Sequence, residues 1–174
     1  YEIDYVYRNK RRNLFLMNLI NGFDKNTLIL FTKIETHGKI LHDFIKAHSD
    51  KTVYYIDGVV KDTVREEIRR KMEKENNVIL LASFGTLSTG INIKNIHNVV
   101  FASAYRSEIK TFQSIGRGLR LLDDKHLQVY DIVDLLSHRN GAETYNNYLI
   151  NQFHERLGHY KQRDFSIVKK TVTI

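Results

Sequence analysis

The 174-residue chain has no cysteine and no proline. Without Cys there is neither a disulfide framework nor a thiolate metal site, which fits an intracellular protein; the expected location is the cytoplasm. Without Pro, helices are expected to end at Gly, Asn or Asp. No apolar run approaches the ~20 residues that span a bilayer, so no membrane partner is expected. No signal-peptide pattern opens the chain at Tyr1. A start without Met points to a piece of something longer. The eight His are scattered. His154-Glu155 begins like a zinc-protease helix, but Gly158 stands where the second His belongs and His159 lies off that face. No metal site is expected. Gly38-Lys39 begins like the end of a phosphate-binding loop. Ile40 replaces its Ser or Thr and Lys33 its first Gly, so the loop is absent.

What is present is an ordinary globular composition, 42% hydrophobic and 27% charged, with a net charge of +7 and a pI of about 9.5. The length suits one domain with a substantial core. The basic excess favours a polyanionic partner, most simply nucleic acid. Short apolar runs alternate with amphipathic ones. Thr27–Phe31 reads as a strand buried on both faces, Val78–Ala82 as another buried strand, and Val53–Ile56, Val99–Phe101 and Leu127–Ile132 as further short strands. Between them, Leu16/Leu19/Ile20/Phe23, His37/Ile40/Leu41/Phe44/Ile45 and Val64/Ile68/Met72 recur at helical spacing. Asn21-Gly22 closes the first helix, and Thr63 with Glu66 is spaced as a capping box for the third. The alternation predicts an α/β fold, a parallel sheet with helices on both faces. Its core spans about residues 12–135 within a single domain of residues 1–174. Residues 1–9 read as an extended arm, because Tyr5, Val6 and Tyr7 favour strand. Beyond residue 140, Tyr145, Tyr148, Leu149, Phe153 and Leu157 predict a helix, and Phe165–Ile174 a last strand. Ligands of such sheets bind at the carboxyl ends of the strands. The loops after Phe31, Ile56, Ala82, Phe101 and Ile132 are thus the candidate functional edge.

Two stretches on that edge carry chemistry. Gln113-Ser114-Ile115-Gly116-Arg117-Gly118-Leu119-Arg120 sets Gln113, Arg117 and Arg120 near one face of a helix. Two guanidinium groups there can grip a phosphate by charge-assisted hydrogen bonds, and Gly116 and Gly118 clear space beside them. An ordinary solvated basic turn has the same spacing. Ser83–Asn92 is rich in hydroxyls and Gly and follows a buried strand. It reads as a phosphate-contacting loop or as a plain strand-to-helix connection.

Taken in order, these motifs resemble the second RecA-like domain of superfamily 2 helicases, over roughly residues 27–122. Leu28–Thr32 looks like motif IV. Gly58 followed seven residues later by Arg65 keeps a family spacing. Ala82-Ser83 through Thr89-Gly90-Ile91-Asn92 to Ile96 resembles motif V, and Gln113–Arg120 motif VI. The resemblance implies a P-loop NTPase-type, RecA-like lobe of an ATP-dependent nucleic-acid helicase. By position, Arg117 and Arg120 are the arginines that reach ATP, with Arg120 the favoured arginine finger and Gln113 ordering the cleft. Gly90, Asn92 and Gly116 would lie beside the nucleotide, and Thr32, Lys33, Gly58, Ser83 and Thr86 beside the nucleic-acid backbone. Many relatives have Asp at the positions of Asn92 and Phe84; Asn92 keeps a hydrogen-bonding side chain.

No Walker A loop and no acidic Mg2+ box occur in the sequence. The resemblance therefore implies that ATP and Mg2+ are held mainly by an N-terminal RecA-like lobe, the chain's expected intramolecular partner. These 174 residues alone should hold neither and hydrolyse no ATP. Arg117 and Arg120 should then lie on an open surface. DNA is preferred over RNA as substrate, in recombination, repair or branched-DNA remodelling. The alternatives are a stand-alone RecA-like nucleic-acid-binding module without catalysis and an RNA helicase lobe.

Overall fold

A computed structural model describes residues 2–88, 93–103, 127–136, 138–140, 143–145 and 147–174. Helices α1 (Glu2–Arg8) and α2 (Lys10–Asn21) lead into strand β1 (Thr27–Phe31). A π-helical turn (Ile34–Gly38) runs into α3 (Lys39–His48), followed by β2 (Val53–Ile56), α4 (Asp62–Lys74), β3 (Ile79–Ser83) and the short α5 (Phe84–Ser88). Strands β4 (Asn98–Phe101) and β5 (Gln128–Asp131), a small hairpin of β6 (His138–Asn140) with β7 (Glu143–Tyr145), and helix α6 (Tyr148–Gln162) complete the described elements.

The five long strands form one sheet in the order β2-β3-β1-β4-β5, every pairing parallel. Strands β1, β3 and β4 are buried residue by residue, as expected of a sheet covered on both sides. Side chains alternate between the faces. Leu28, Leu30, Leu80, Ala82, Val99 and Phe101 pack on Ile68 and Met72 of α4 and on Tyr160 of α6. Ile29, Phe31, Ile79, Leu81 and Val100 pack on Leu16 and Ile20 of α2 and on Leu41 and Ile45 of α3. The five strands foreseen from the sequence are therefore present, each within a residue or so, with helices on both faces.

Four local expectations fail, where other contacts, or the lack of them, outweigh local preference. Residues 2–8 are helical, not extended. Val6 and Tyr7 bury against Leu149, and the Glu2 carboxylate accepts the N–H groups of Tyr148 and Leu149, each at 3.2 Å. The acid thus serves the positive end of α6. The Thr63–Glu66 capping box does not form, because α4 begins at Asp62 with no side-chain cap. Glu66 instead takes the Arg69 guanidinium through two bonds of 2.8 and 2.7 Å and Arg70 at 3.2 Å. Tyr145 lies in β7, so the last helix starts only at Tyr148. Phe165–Ile174 forms no strand and is exposed throughout. Its β-branched residues lack the ladder and packed face that make such composition count.

Helix ends without proline are met unevenly. Gly22 follows α2 in a right-handed conformation. At the end of α4 the work is done from a distance. The Asn26 amide donates to the carbonyls of Met72 and Glu75 at 3.0 and 2.8 Å, and Asn95 does the same at 3.1 and 3.0 Å. Orphan carbonyls at a helix terminus need such partners.

Candidate functional site

Strand register decides which residues meet. Phe31 lies opposite Ser83, Ile56 opposite Ala82, Leu30 opposite Phe101 and Phe101 opposite Asp131. Thr32-Lys33, Asp57-Gly58, Ser83–Thr86, Ala102-Ser103 and Ile132–Asp134 therefore share one edge. The start of α2 reaches it too. Arg12 donates through Nη2 to the Ala102 carbonyl at 2.8 Å and through Nε to Asp134 at 2.6 Å.

The loop after β1 is held from within. The Thr32 N–H donates to Ser103 Oγ at 3.2 Å, and that hydroxyl lies 2.9 Å from His37 Nδ1. The π-helical turn closes the loop with a 2.8 Å bond from the Gly38 N–H to the Lys33 carbonyl. A Cβ on Gly38 would fall 2.3 Å from the Phe31 ring, so only glycine lets the turn lie this close to β1. His37 is 0% exposed and stacks on Tyr7 with ring centroids 3.9 Å apart and planes 9° from parallel. Burial first, and the Arg12 charge second, push its pKa down to about 3. It is a neutral imidazole at physiological pH.

The loop after β2 explains the Gly58–Arg65 spacing. From one turn into α4, Arg65 Nη2 donates to the carbonyls of Asp57 and Gly58 at 3.2 and 3.1 Å. Asp57 Oδ1 accepts the Val59 N–H at 3.0 Å. The turn is thereby fixed with Gly58 exposed at its tip. A Cβ there would meet nothing within 4 Å among the described residues, so none of them demands a glycine at that place.

After β3, the hydroxyls of Ser83 and Thr86 lie 2.7 Å apart, and the Thr86 N–H donates to Ser83 Oγ at 3.3 Å. Both residues are buried, at 7% and 3% exposure. They shape the entry into α5 rather than face solvent. Of the sequence-derived candidates on this edge, Lys33 and Gly58 are exposed and Thr32 is half-buried. Gly90, Asn92, Gln113, Gly116, Arg117 and Arg120 lie outside the described residues, and with them the expectation of an open arginine surface.

Charge alone does not mark this edge. Lys10, Arg11, Lys33 and Lys61 are exposed on or near it. Lys25, Lys74 and Lys94 lie toward the opposite edge, and the α4 cations Arg69, Arg70 and Lys71 are paired with Glu66 or Glu67. Among the described residues no group of three or more His, Asp or Glu is placed to hold a metal ion. Nor is any described helix long and apolar enough to cross a membrane.

Sequence reasoning did not single out His37, Ser103, Tyr7 or Arg12 as candidates for a site. His37 fell on an apolar helical stripe, and Ser103 follows a strand with no motif around it. Only the register of β1 against β4 brings them together.

Residues 11–121 match the model of the helicase conserved C-terminal domain. The chain belongs to that family. This helicase C-terminal domain is 33% identical, over 183 aligned residues, to the ATP-dependent DNA helicase uvsW of Enterobacteria phage T4. The alignment takes in 99% of this chain and 36% of that protein, so the chain spans about a third of its relative. The crystal structure of T4 UvsW superposes with a TM-score of 0.83 at 33% identity, covering 98% of this chain and 36% of that one. The Sulfolobus solfataricus SWI2/SNF2 ATPase core in complex with dsDNA matches at a TM-score of 0.55 and 17% identity, over 72% of this chain and 26% of that one. At that identity the likeness is one of fold. The helicase C-terminal domain thus has the five-stranded parallel sheet of RecA-like ATPase lobes.

Proposed function

We propose that this domain is the C-terminal motor lobe of an ATP-dependent DNA helicase or translocase acting in recombination, repair or remodelling of branched DNA. ATP is the substrate, and it sits mainly on an N-terminal RecA-like lobe together with Mg2+. The observation that carries the reading is the shared edge. Loops after three strands present Thr32-Lys33, the Gly58 tip and the Ser83–Thr86 turn side by side, in a member of a helicase family whose uvsW relative is a DNA helicase. Thr32, Lys33 and Gly58 would lie against the phosphodiester backbone. A glycine with open space above it lets a backbone approach closely. The burial of Ser83 and Thr86 gives them a supporting part in shaping the loop beside it. Contacts of this kind read no bases, so binding should weaken with salt and tolerate any sequence.

Arg117 and Arg120 would supply guanidinium groups to the charge that develops on the transferred phosphoryl group, with Gln113 ordering the cleft and Gly90, Asn92 and Gly116 beside the nucleotide. A finger on one lobe and ATP on the other make hydrolysis depend on lobe closure. Closure and reopening then shift DNA held across both lobes.

The test uses the full-length protein, with ATP hydrolysis measured on single-stranded, duplex and branched DNA and on RNA. Arg120→Ala should cost on the order of 10³-fold or more in rate, and Arg117→Ala should also slow hydrolysis. If neither does, the finger assignment is wrong. Gly58→Glu should weaken DNA binding severalfold while stability stays within about 0.5 kcal/mol, because the new side chain enters solvent. Equal stimulation by RNA would point to an RNA helicase lobe. The isolated 174-residue chain should hydrolyse no ATP.

A further inference from the structure

Beneath the β1 loop lie two buried polar side chains, His37 and Ser103, at 0% and 2% exposure. The β1–β4 ladder makes its last backbone bond where the Ala102 N–H meets the Leu30 carbonyl at 3.0 Å. One step further, the Thr32 N–H finds Ser103 Oγ at 3.2 Å. The hydroxyl thus adds a side-chain rung to the sheet. Ser103 is steadied by His37 Nδ1 at 2.9 Å. His37 is in turn clamped against Tyr7 of α1. The Arg12 guanidinium lies over the same tyrosine ring, 5.5 Å from its centroid, and is itself fixed by Asp134 and the Ala102 carbonyl.

Packing alone does not account for a histidine here. Its Nε2 is buried with no hydrogen-bond partner among the described residues, a cost that an apolar ring of similar size would avoid. What His37 adds is the bond to Ser103, and what Ser103 adds is the bond to Thr32. The Lys33 carbonyl is held by Gly38 at the other end of the same dipeptide. The peptide groups of Thr32 and Lys33 are therefore pinned at both ends, while the Lys33 side chain is exposed.

We infer that His37 and Ser103 are positioning residues for nucleic-acid binding. They fix the direction in which Thr32 and Lys33 meet a phosphodiester backbone, and Tyr7 and Arg12 brace them from α1 and α2. The inference rests on the reading of this domain as a nucleic-acid-gripping motor lobe.

The experiment uses the full-length protein and a fluorescently labelled duplex DNA. Ser103→Ala and His37→Phe should each raise Kd roughly two- to tenfold, the worth of one hydrogen bond. His37→Asn, which puts a polar atom near the place of Nδ1, should restore part of the loss. In the ATPase assay the effect should fall on the DNA concentration for half-stimulation rather than on kcat. Combined with Thr32→Ala/Lys33→Ala, either substitution should add little, because the contact it positions is already gone. An unchanged Kd, or a loss that adds in full to the Thr32→Ala/Lys33→Ala background, overturns the inference. Should a variant fail to fold, hydrogen exchange at the Thr32 amide of the unsubstituted protein decides. Protection is expected, and exchange at the rate of an open loop refutes the rung. If Lys33→Ala and Gly58→Glu both leave DNA binding intact, the motor-lobe reading fails first and takes this inference with it.

Discussion

Taking the pH from 8 to 5 should cost this domain about 2 kcal/mol of stability through a single side chain, His37. In the native state burial, and after it the Arg12 charge, lower its pKa from 6.5 to about 3. In the unfolded chain the imidazole titrates near its ordinary value. Above that value both states are neutral and His37 contributes no pH dependence. Below it the unfolded state takes up a proton that the native state refuses, so stability falls as pH falls, by about 1.4 kcal/mol per unit, until native His37 titrates. The window for this loss runs from pH 6.5 down to about 3, and its upper half lies clear of most carboxylate titration. Urea unfolding followed by circular dichroism at pH 8, 7, 6 and 5 reads it, with His37→Phe as reference. Phe preserves an aromatic ring beside Tyr7 and cannot titrate, and the other histidines contribute equally to both proteins. The unsubstituted protein should lose about 2 kcal/mol more than the variant between pH 8 and pH 5. Parallel losses would show that His37 is not held neutral by its surroundings.

Two further outcomes follow from packing. Gly38→Ala puts a Cβ 2.3 Å from the Phe31 ring. It should destabilise the fold by about 1–3 kcal/mol, read as a lower urea midpoint, since a packed aromatic ring must move. Asp131 receives Arg156 through bonds of 2.7 and 3.1 Å and the Tyr160 hydroxyl at 2.7 Å. Asp131→Ala removes both of these bonds from a guanidinium with only 3% of its side chain exposed, so a loss of about 1.5–3 kcal/mol is expected in the same assay. A loss below ~1 kcal/mol would mean that the Asp131 carboxylate holds Arg156 less firmly than the two short bonds imply.

Five strands and the three helices between Lys10 and Lys74 were legible in the sequence because their signals are local. A continuous apolar run such as Thr27–Phe31 has few ways to be satisfied except in the middle of a sheet. A stripe such as Leu16/Ile20 needs one covered face. Motif order likewise led to the helicase family, which the family model and the uvsW relative establish. The failures came where local preference is weak and a distant partner is strong. Tyr5-Val6-Tyr7 favours strand by composition. It folds as helix because Glu2 and Tyr7 find partners at Leu149 and His37, far away in the chain. Phe165–Ile174 fails for the opposite reason: it has the composition of a strand but forms no ladder.

At the candidate site the division is the same. The family resemblance pointed to Gly58 with Arg65, and the structure supplies a physical cause for their spacing, a guanidinium closing the turn onto the Asp57 and Gly58 carbonyls. No spacing could point to His37 and Ser103, which are 66 positions apart and carry no motif between them. The sequence by itself determined the alternation of strand and helix, the family, and which strand ends share one edge, because periodicity and motif order are properties of the chain read in one dimension. Only the tertiary structure decided that the β1 loop rests on a serine from beyond β4 and a histidine kept neutral by burial. Register and desolvation arise only once the sheet has closed around them.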